Sequence, residues 1–198
     1  MKKGQNFNRP EKGSCIKVQP IKKTKDIQRI KNLLKNQPRN YALFVIGINT
    51  NLRASDIRKL KVEQVKNLNP GDFIEIKEQK TSKFRKVSFN KSCIDAINRL
   101  LLKSNLEQTG YLFKNRYGGL LTVPSISRLV KRWCKSINLQ GNYGSHSLRK
   151  TWGYHQRVTY EVDLPNLMVC FNHSSQKQTL DYLCIQPEEI QQIFSNEI

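Results

Sequence analysis

The stretch FNHSSQKQTLDY, residues 171–182, carries a histidine and a tyrosine nine residues apart, His173 and Tyr182. The pattern toward its end predicts a helix over residues 176–183 that includes the tyrosine. Two interpretations are open for each residue. His173 either caps this helix or contacts a ligand, and Tyr182 is either a core tyrosine or a reactive one. Segments that lie earlier in the chain help to decide between them.

A second histidine lies upstream, in the sequence HSLR at residues 146–149. His146 and Arg149 are three residues apart and therefore share one face of a helix that we predict over residues 146–159. Such a pair can hold one phosphate, because the guanidinium makes forked, charge-assisted contacts and the imidazole donates a hydrogen bond or transfers a proton. Taken alone, the pattern is more often a surface pair.

The rest of the chain predicts a mainly α-helical fold with one small antiparallel β-sheet, the α+β class. Residues 73–77 (FIEIK) and 84–89 (FRKVSF) alternate with period two around a polar turn, which indicates a β-hairpin with a lysine-rich tip. The sequence NYALFVIGIN at residues 40–49 is apolar on all sides and predicts a buried helix. Further helices are predicted after Thr24, through Ile57 and Leu60, over 91–104, from Pro124 through Trp133, from Pro165 to Phe171 and from Pro187 to Phe194.

The charge of the chain points to an acidic partner. The 198 residues include 35 Lys and Arg but only 15 Asp and Glu, for a net charge of +20. Nucleic acid is the default partner for such a balance, and an anionic membrane surface or a merely solvated surface are the alternatives. No apolar run approaches the roughly 20 residues of a membrane span, and no secretory signal follows the N-terminus. Five cysteines without a C-x-x-C pair, and three histidines without ligand spacing, predict no disulfide framework and no structural metal.

Three separated motifs and one lysine together resemble the catalytic domain of the tyrosine recombinases, the phage integrase family. The family motifs look like G-L-R-x-S-E, a lysine on a β-hairpin, H-x-L-R, and L-G-H-S followed by a tyrosine. Here they correspond to NLRASD at residues 51–56, the hairpin, HSLR and the stretch 171–182. The resemblance runs from about residue 21 to residue 198. The six residues that carry it are, in order, Arg53, Lys80, His146, Arg149, His173 and Tyr182.

The resemblance implies a role for each of these residues in DNA strand breakage. Tyr182 would attack a phosphodiester and form a 3′-phosphotyrosyl link, which retains the bond energy for rejoining. Cations and hydrogen-bond donors would stabilise the negative charge that builds on the non-bridging oxygens. Neither a metal nor another cofactor is required. The expected contacts are Arg53, Arg149 and His173 on the non-bridging oxygens, Lys80 as the acid for the leaving 5′ oxygen, His146 as base or further donor, and Asp56 orienting Arg53.

The departures from the family pattern are mild. Asn51 and Asn172 stand where the family usually has glycine, and asparagine tolerates the positive φ of such turns. Asp56 stands for the common glutamate and keeps the acid. Family members also carry a helical DNA-clamping domain before the catalytic one, whereas here only about 20 residues precede the first predicted helix.

The predicted organisation is therefore a flexible basic arm at residues 1–20 followed by a catalytic domain at 21–198. The segment 186–198 is expected either to dock on a neighbouring protomer or to pack in cis. The resemblance implies double-stranded DNA with a specific target site as partner. It also implies a homotetramer on synapsed DNA that is monomeric or dimeric when free, and an accessory DNA-bending protein. We expect a cytoplasmic, nucleoid-associated location and no membrane.

The leading functional prediction is a site-specific DNA recombinase, the integrase of a phage or other mobile element. A DNA invertase of the same class, a type IB topoisomerase-like enzyme and a non-catalytic DNA-binding regulator are the alternatives. An intact nucleophile and two arginines argue against the regulator. The small size and the spacing between His173 and Tyr182 favour a recombinase over a topoisomerase.

Overall fold

A computed structural model describes residues 17–77, 84–104 and 108–185 of the chain. The predictions for most of the arm, for Lys80 and the tip of the hairpin, and for the segment 186–198 lie outside these residues. The described elements are α1 (Thr24–Leu33), α2 (Pro38–Asn49), α3 (Ala54–Ile57), α4 (Val62–Val65), β1 (Phe73–Lys77), β2 (Phe84–Ser88), α5 (Lys91–Lys103), α6 (Val123–Ser136), α7 (Ser145–Val158), α8 (Leu164–Phe171) and α9 (Gln176–Leu183).

The main core surrounds α2, as its apolar sequence predicts. Ala42, Leu43, Phe44 and Ile46 are fully buried. This helix packs against α5 on one side and α7 on another. Gly47 permits the close approach of α7, because a Cβ at this position would lie 2.6 Å from Cδ1 of Leu148.

The two strands form the predicted antiparallel hairpin. Phe73 pairs with Ser88 at one end, and Lys77 pairs with Phe84 at the end nearest the tip. Ile74 and Val87 are buried in the main core, whereas both phenylalanines are exposed. The alternation of the sequence therefore gives the hairpin one buried face and one exposed face. The mainly α-helical fold with a small antiparallel sheet is confirmed.

A second, smaller apolar cluster lies at the C-terminal end of the described chain. Its buried members come from α8 and α9 and are Leu167, Phe171 and Leu183. These two helices pack on each other and on α7. We call this unit, residues 164–185, the C-terminal cap. Within the described residues, no helix is long and apolar enough to cross a membrane.

The helix ends correct one prediction and decide against one of the two interpretations of His173. The sequence predicts that the first helix begins after Thr24, with that residue as its N-cap, but Thr24 is itself the first residue of α1, because the extended backbone that an N-cap requires belongs to Lys23. His173 does not cap α9 either. The hydroxyl of Ser175 occupies that position and accepts a hydrogen bond from the backbone N–H of Gln178. This frees the imidazole for other contacts.

Candidate active site

Arg149 lies at the centre of the candidate site. It belongs to α7 and is 5% exposed. Its Nε donates a hydrogen bond of 2.8 Å to Oδ1 of Asn51, and its Nη2 donates one of 3.4 Å to the carbonyl oxygen of Phe171. The guanidinium carbon also lies 5.0 Å from the centroid of the Phe171 ring. Contacts to two other parts of the chain therefore fix the orientation of this cation.

Asn51 connects the main core to the C-terminal cap. It has φ 52°, the left-handed conformation that the sequence predicts for a residue in a glycine position. Its side chain accepts from Arg149 and donates from Nδ2 to the carbonyl oxygen of Cys170, at 2.8 Å. Glycine could adopt the same backbone conformation but could make neither side-chain bond. Asn172 has φ 57° and ends α8 in the same conformation.

Arg53 follows the Asn51 turn and is the N-cap residue of α3. The side chain is partly buried, and its positive charge acts on both His173 and Tyr182. Asp56 is 4% exposed and accepts a hydrogen bond of 3.3 Å from the hydroxyl of Ser55. The orienting role predicted for Asp56 stays a prediction.

His173 lies directly after the left-handed turn that ends α8. Its ring stacks on Phe171, with centroids 5.2 Å apart and an interplanar angle of 17°. Its Nδ1 is 3.1 Å from the hydroxyl of Thr179. Burial, and then the positive charges of Arg149 and Arg53, lower the pKa of His173 below its usual 6.5. The imidazole is therefore neutral at physiological pH in the free protein.

Tyr182 lies on α9 with its ring against both neighbouring rings. Its centroid is 5.2 Å from that of Phe171 and 5.2 Å from that of His173. Burial raises the pKa of the Tyr182 phenol, and the positive charges of Arg149 and Arg53 oppose that shift. The hydroxyl is therefore protonated at neutral pH, and its ionisation is favoured when a base accepts the proton next to these arginines.

A cleft of about 600 Å³ opens beside these rings. It contains His146, His173 and Tyr182, of which His146 is exposed. The structure thus brings together five of the six residues that the sequence predicts, and the sixth, Lys80, lies outside the described residues. The other side chains that line the cleft are Lys17, Val18, Lys150, Ser175, Lys177, Gln178 and Asp181.

The sequence did not reveal two residues that hold the tyrosine. Lys150 is 6% exposed, and its Nζ lies 4.9 Å from the centroid of the Tyr182 ring and 3.4 Å from Sγ of Cys184. Phe171 contacts the rings of His173 and Tyr182 and the guanidinium of Arg149. A lysine next to the motif arginine and an aromatic residue just before the motif histidine are weak signals, because either is common on a helix.

Electrostatically, the site is suited to an anion rather than to a metal ion. Across residues 17–77, 84–104 and 108–185, no group of three or more His, Cys, Asp or Glu side chains could hold a metal. Arg53, Arg149 and Lys150 instead gather positive charge around one tyrosine. Two guanidinium groups beside an imidazole provide forked donors for the oxygens of a phosphate.

The chain is similar in sequence and in fold to several known proteins. The profile of the Phage integrase family matches residues 22–189. The chain is 35% identical over 175 residues to a Bacillus subtilis (strain 168) protein named probable integrase/recombinase YoeC, and the match covers 86% of this chain and 92% of that protein. It is 26% identical over 158 residues to the tyrosine recombinase XerC of Caldanaerobacter subterraneus subsp. tengcongensis. That match covers 78% of this chain but 43% of XerC.

Two solved structures have the same fold. The XerA recombinase gives a TM-score of 0.70 at 18% identity, covering 94% of this chain and 65% of that chain. The XerH site-specific recombinase, bound to a palindromic difH substrate after cleavage, gives 0.71 at 20% identity, covering 97% and 60%. The chain therefore spans less than two thirds of these solved proteins and nearly the full length of YoeC.

Proposed function

The chain belongs to the phage integrase family, and from that premise we propose that it is a site-specific DNA recombinase that works through a covalent 3′-phosphotyrosyl intermediate. The observation that carries this proposal is the convergence of Arg149, His173 and Tyr182 around the ring of Phe171. The positive charge of Arg53 acts on the same histidine and tyrosine. A tyrosine between cations, beside an open cleft, suits attack on a phosphodiester better than it suits packing.

In the proposed cleavage step, Oη of Tyr182 forms a bond to phosphorus and the bond from phosphorus to the 5′ oxygen breaks. The phenol proton passes to a base, for which His146 is the candidate because it borders the same cleft. Lys80, predicted near the hairpin tip, would give a proton to the leaving 5′ oxygen. Rejoining is the reverse, with a 5′ hydroxyl attacking the phosphotyrosine.

Negative charge rises on the two non-bridging oxygens as the tyrosine attacks. Arg53, Arg149 and His173 are the donors proposed to meet that charge, and a preorganised donor of this kind contributes about 10²–10³-fold to a rate. The buried position of Arg149 supports this role, because its hydrogen bonds to Asn51 and Phe171 hold the guanidinium still before DNA arrives. Little reorganisation is then needed during the reaction.

The experiment that tests cleavage uses a nicked duplex carrying the site found by footprinting on DNA that flanks the gene. A nick next to the cleavage position lets the short fragment that carries the new 5′ hydroxyl diffuse away. Rejoining then has no 5′ hydroxyl to use, and the protein stays covalently attached to the DNA. Tyr182→Phe should form no SDS-resistant adduct. Tyr160→Phe, which changes an exposed tyrosine, is the matched control and should form as much adduct as wild type. If wild type itself forms none, the cleavage proposal is wrong.

Within the recombinase class, we propose the role of integrase for a phage or another mobile element. The 35% identity to the probable integrase/recombinase YoeC over 92% of that protein supports this role. An invertase would recombine inverted sites on one plasmid, whereas an integrase would join two molecules. Rapid relaxation of a supercoiled plasmid without a target site would instead indicate a topoisomerase.

The proposed partner is double-stranded DNA, and the net charge of +20 supports extensive phosphate contact. We propose that residues 1–20 follow the DNA backbone, and that residues 186–198 dock on a neighbouring protomer within a tetramer on two DNA sites. Deletion of residues 186–198 should leave cleavage of single sites intact but reduce synapsis. Equal losses in the two assays would contradict docking in trans.

A further inference from the structure

Thr179 contacts the imidazole of the candidate site from inside the C-terminal cap. The residue is on α9 and is 0% exposed. Its Oγ1 lies 3.1 Å from Nδ1 of His173 and 3.3 Å from the carbonyl oxygen of Ser175, one helical turn back. A threonine hydroxyl has only one proton to donate, so it can donate to one of these two atoms at a time.

The direction of this proton decides which form of His173 faces the cleft. If the hydroxyl donates to the carbonyl of Ser175, it must accept from Nδ1–H, and Nε2 of a neutral ring then has only a lone pair. If the hydroxyl donates to Nδ1, the ring proton is on Nε2. Only the second tautomer lets a neutral imidazole donate a hydrogen bond to a phosphate oxygen.

Two observations favour the second arrangement. The distance to Nδ1 is the shorter one, and the carbonyl of Ser175 already accepts the backbone N–H of Thr179, at 3.3 Å. Burial and the charges of Arg149 and Arg53 disfavour a second proton on the ring, so the choice is between the two neutral tautomers. His173 must therefore act as a donor in its neutral form until a phosphate offsets these charges.

His155 provides the same geometry elsewhere in the molecule. Its Nδ1 is 2.9 Å from the hydroxyl of Thr159, and its Nε2 is 3.0 Å from the carbonyl oxygen of Ile21. A carbonyl oxygen only accepts, so the neutral ring must carry its proton on Nε2 and the threonine must donate to Nδ1. The chain thus contains a reference for the arrangement that we assign to His173.

We propose that Thr179 is a positioning residue whose hydroxyl donates to Nδ1 of His173 and holds the proton on Nε2, where it is available to a non-bridging phosphate oxygen. The contact with a DNA phosphate rests on the proposed function, whereas the tautomer of His173 is a property of the free protein. Thr179 acts through His173 and contacts no DNA.

The tautomer can be measured without DNA by two-bond ¹H–¹⁵N correlation spectra of the full chain at pH 8. The three histidines are assigned with the variants His146→Gln and His155→Gln. His173 should give the Nε2–H pattern, matching His155. A pattern with the proton on Nδ1 would overturn the inference, whatever the protein does to DNA.

Two substitutions then test the consequence for cleavage. Thr179→Val keeps the shape but removes the hydroxyl, and Thr179→Ser keeps the hydroxyl. On the nicked duplex, Thr179→Val should bind as wild type does but cleave about tenfold more slowly, the upper end of what one neutral hydrogen bond contributes. Thr179→Ser should restore both the rate and the Nε2–H pattern. Wild-type cleavage by Thr179→Val would contradict the inference.

The two proposals can fail separately. If wild type forms no adduct, the proposed function is wrong, and the spectra of the free protein still decide the tautomer. If Thr179→Val does not fold, the wild-type and Thr179→Ser spectra decide it alone.

Discussion

Replacement of Gly153 by alanine should separate stability from catalysis in this fold. Gly153 is a buried residue of α7 at the contact with the C-terminal cap. A Cβ at this position would lie 2.6 Å from Cδ2 of Leu183 and 2.7 Å from Cε2 of Phe171, closer than real Cβ atoms approach. Both neighbours are buried and cannot swing into solvent, so α8 and α9 must move away from α7.

The cost in stability is expected to be small. Overpacking of this kind costs about 1–3 kcal/mol, and the better helix propensity of alanine returns about 1 kcal/mol. The free energy of unfolding should therefore fall by about 1 kcal/mol in urea denaturation. Gly47→Ala is a matched control for stability, because its Cβ would lie 2.6 Å from Leu148 inside the main core. Its loss of stability should be similar.

Cleavage should fall far more than stability in Gly153→Ala. The movement at Gly153 displaces Phe171, on which His173 and Tyr182 rest, and a misplacement of about 1 Å costs about 100-fold in rate. Gly153→Ala should thus lose about 100-fold in cleavage of the nicked duplex while it remains folded and binds DNA. Gly47→Ala is not used as a control for cleavage, because its Cβ would displace Leu148, the neighbour of Arg149 on α7. A folded Gly153→Ala variant with wild-type cleavage would refute the placement of the nucleophile on the cap.

Three further predictions concern burial and charge. Asn51→Ala should lower the free energy of unfolding in urea by about 3 kcal/mol, because it removes a hydrogen bond to the Arg149 guanidinium and strains the left-handed backbone. Asn51→Gly loses the same hydrogen bond without the strain, so its loss should be smaller than that of Asn51→Ala by about 1 kcal/mol. Burial raises the pKa of the Cys93 and Cys134 thiols to about 12, so mass spectrometry should find neither alkylated by iodoacetamide at pH 8 until the chain unfolds. The pKa of His173 is lower in the folded protein than its usual 6.5 in the unfolded chain, so the free energy of unfolding is highest above pH 6.5 and decreases as the pH falls. The melting temperature should therefore fall more between pH 7 and pH 5 in wild type than in His173→Gln.

Much of the fold follows from patterns that are local in the sequence. The predicted helix at residues 176–183 and the helix found, α9, coincide. The hairpin strands agree to within one residue, because alternation and a polar turn are unambiguous. The two asparagines predicted to take positive φ, Asn51 and Asn172, both do so. In each case the physical cause acts within a few residues along the chain.

The contacts that complete the site could not be predicted in this way. Asn51 bonds to Arg149 across 98 residues and to the carbonyl of Cys170 across 119. The sequence shows that asparagine fits the turn, but only the packing of α7 against the cap brings these groups into reach. The same holds for Lys150, a charged residue whose burial against the Tyr182 ring contradicts the usual exposure of lysine.

The candidate site is divided between two packing units, and this division has a consequence for control. Arg53 and Arg149 belong to elements of the large main core, whereas His173 and Tyr182 belong to the cap, whose own cluster contains Leu167, Phe171 and Leu183. Small clusters open at lower free energy than large ones. On the proposed function, the cations of the larger unit would hold the phosphate, while the tyrosine proposed as nucleophile would move with the smaller unit. Two hydrogen bonds couple the units, from Arg149 to the carbonyl oxygen of Phe171 and from Asn51 to that of Cys170, and weakening either one should therefore slow the proposed cleavage.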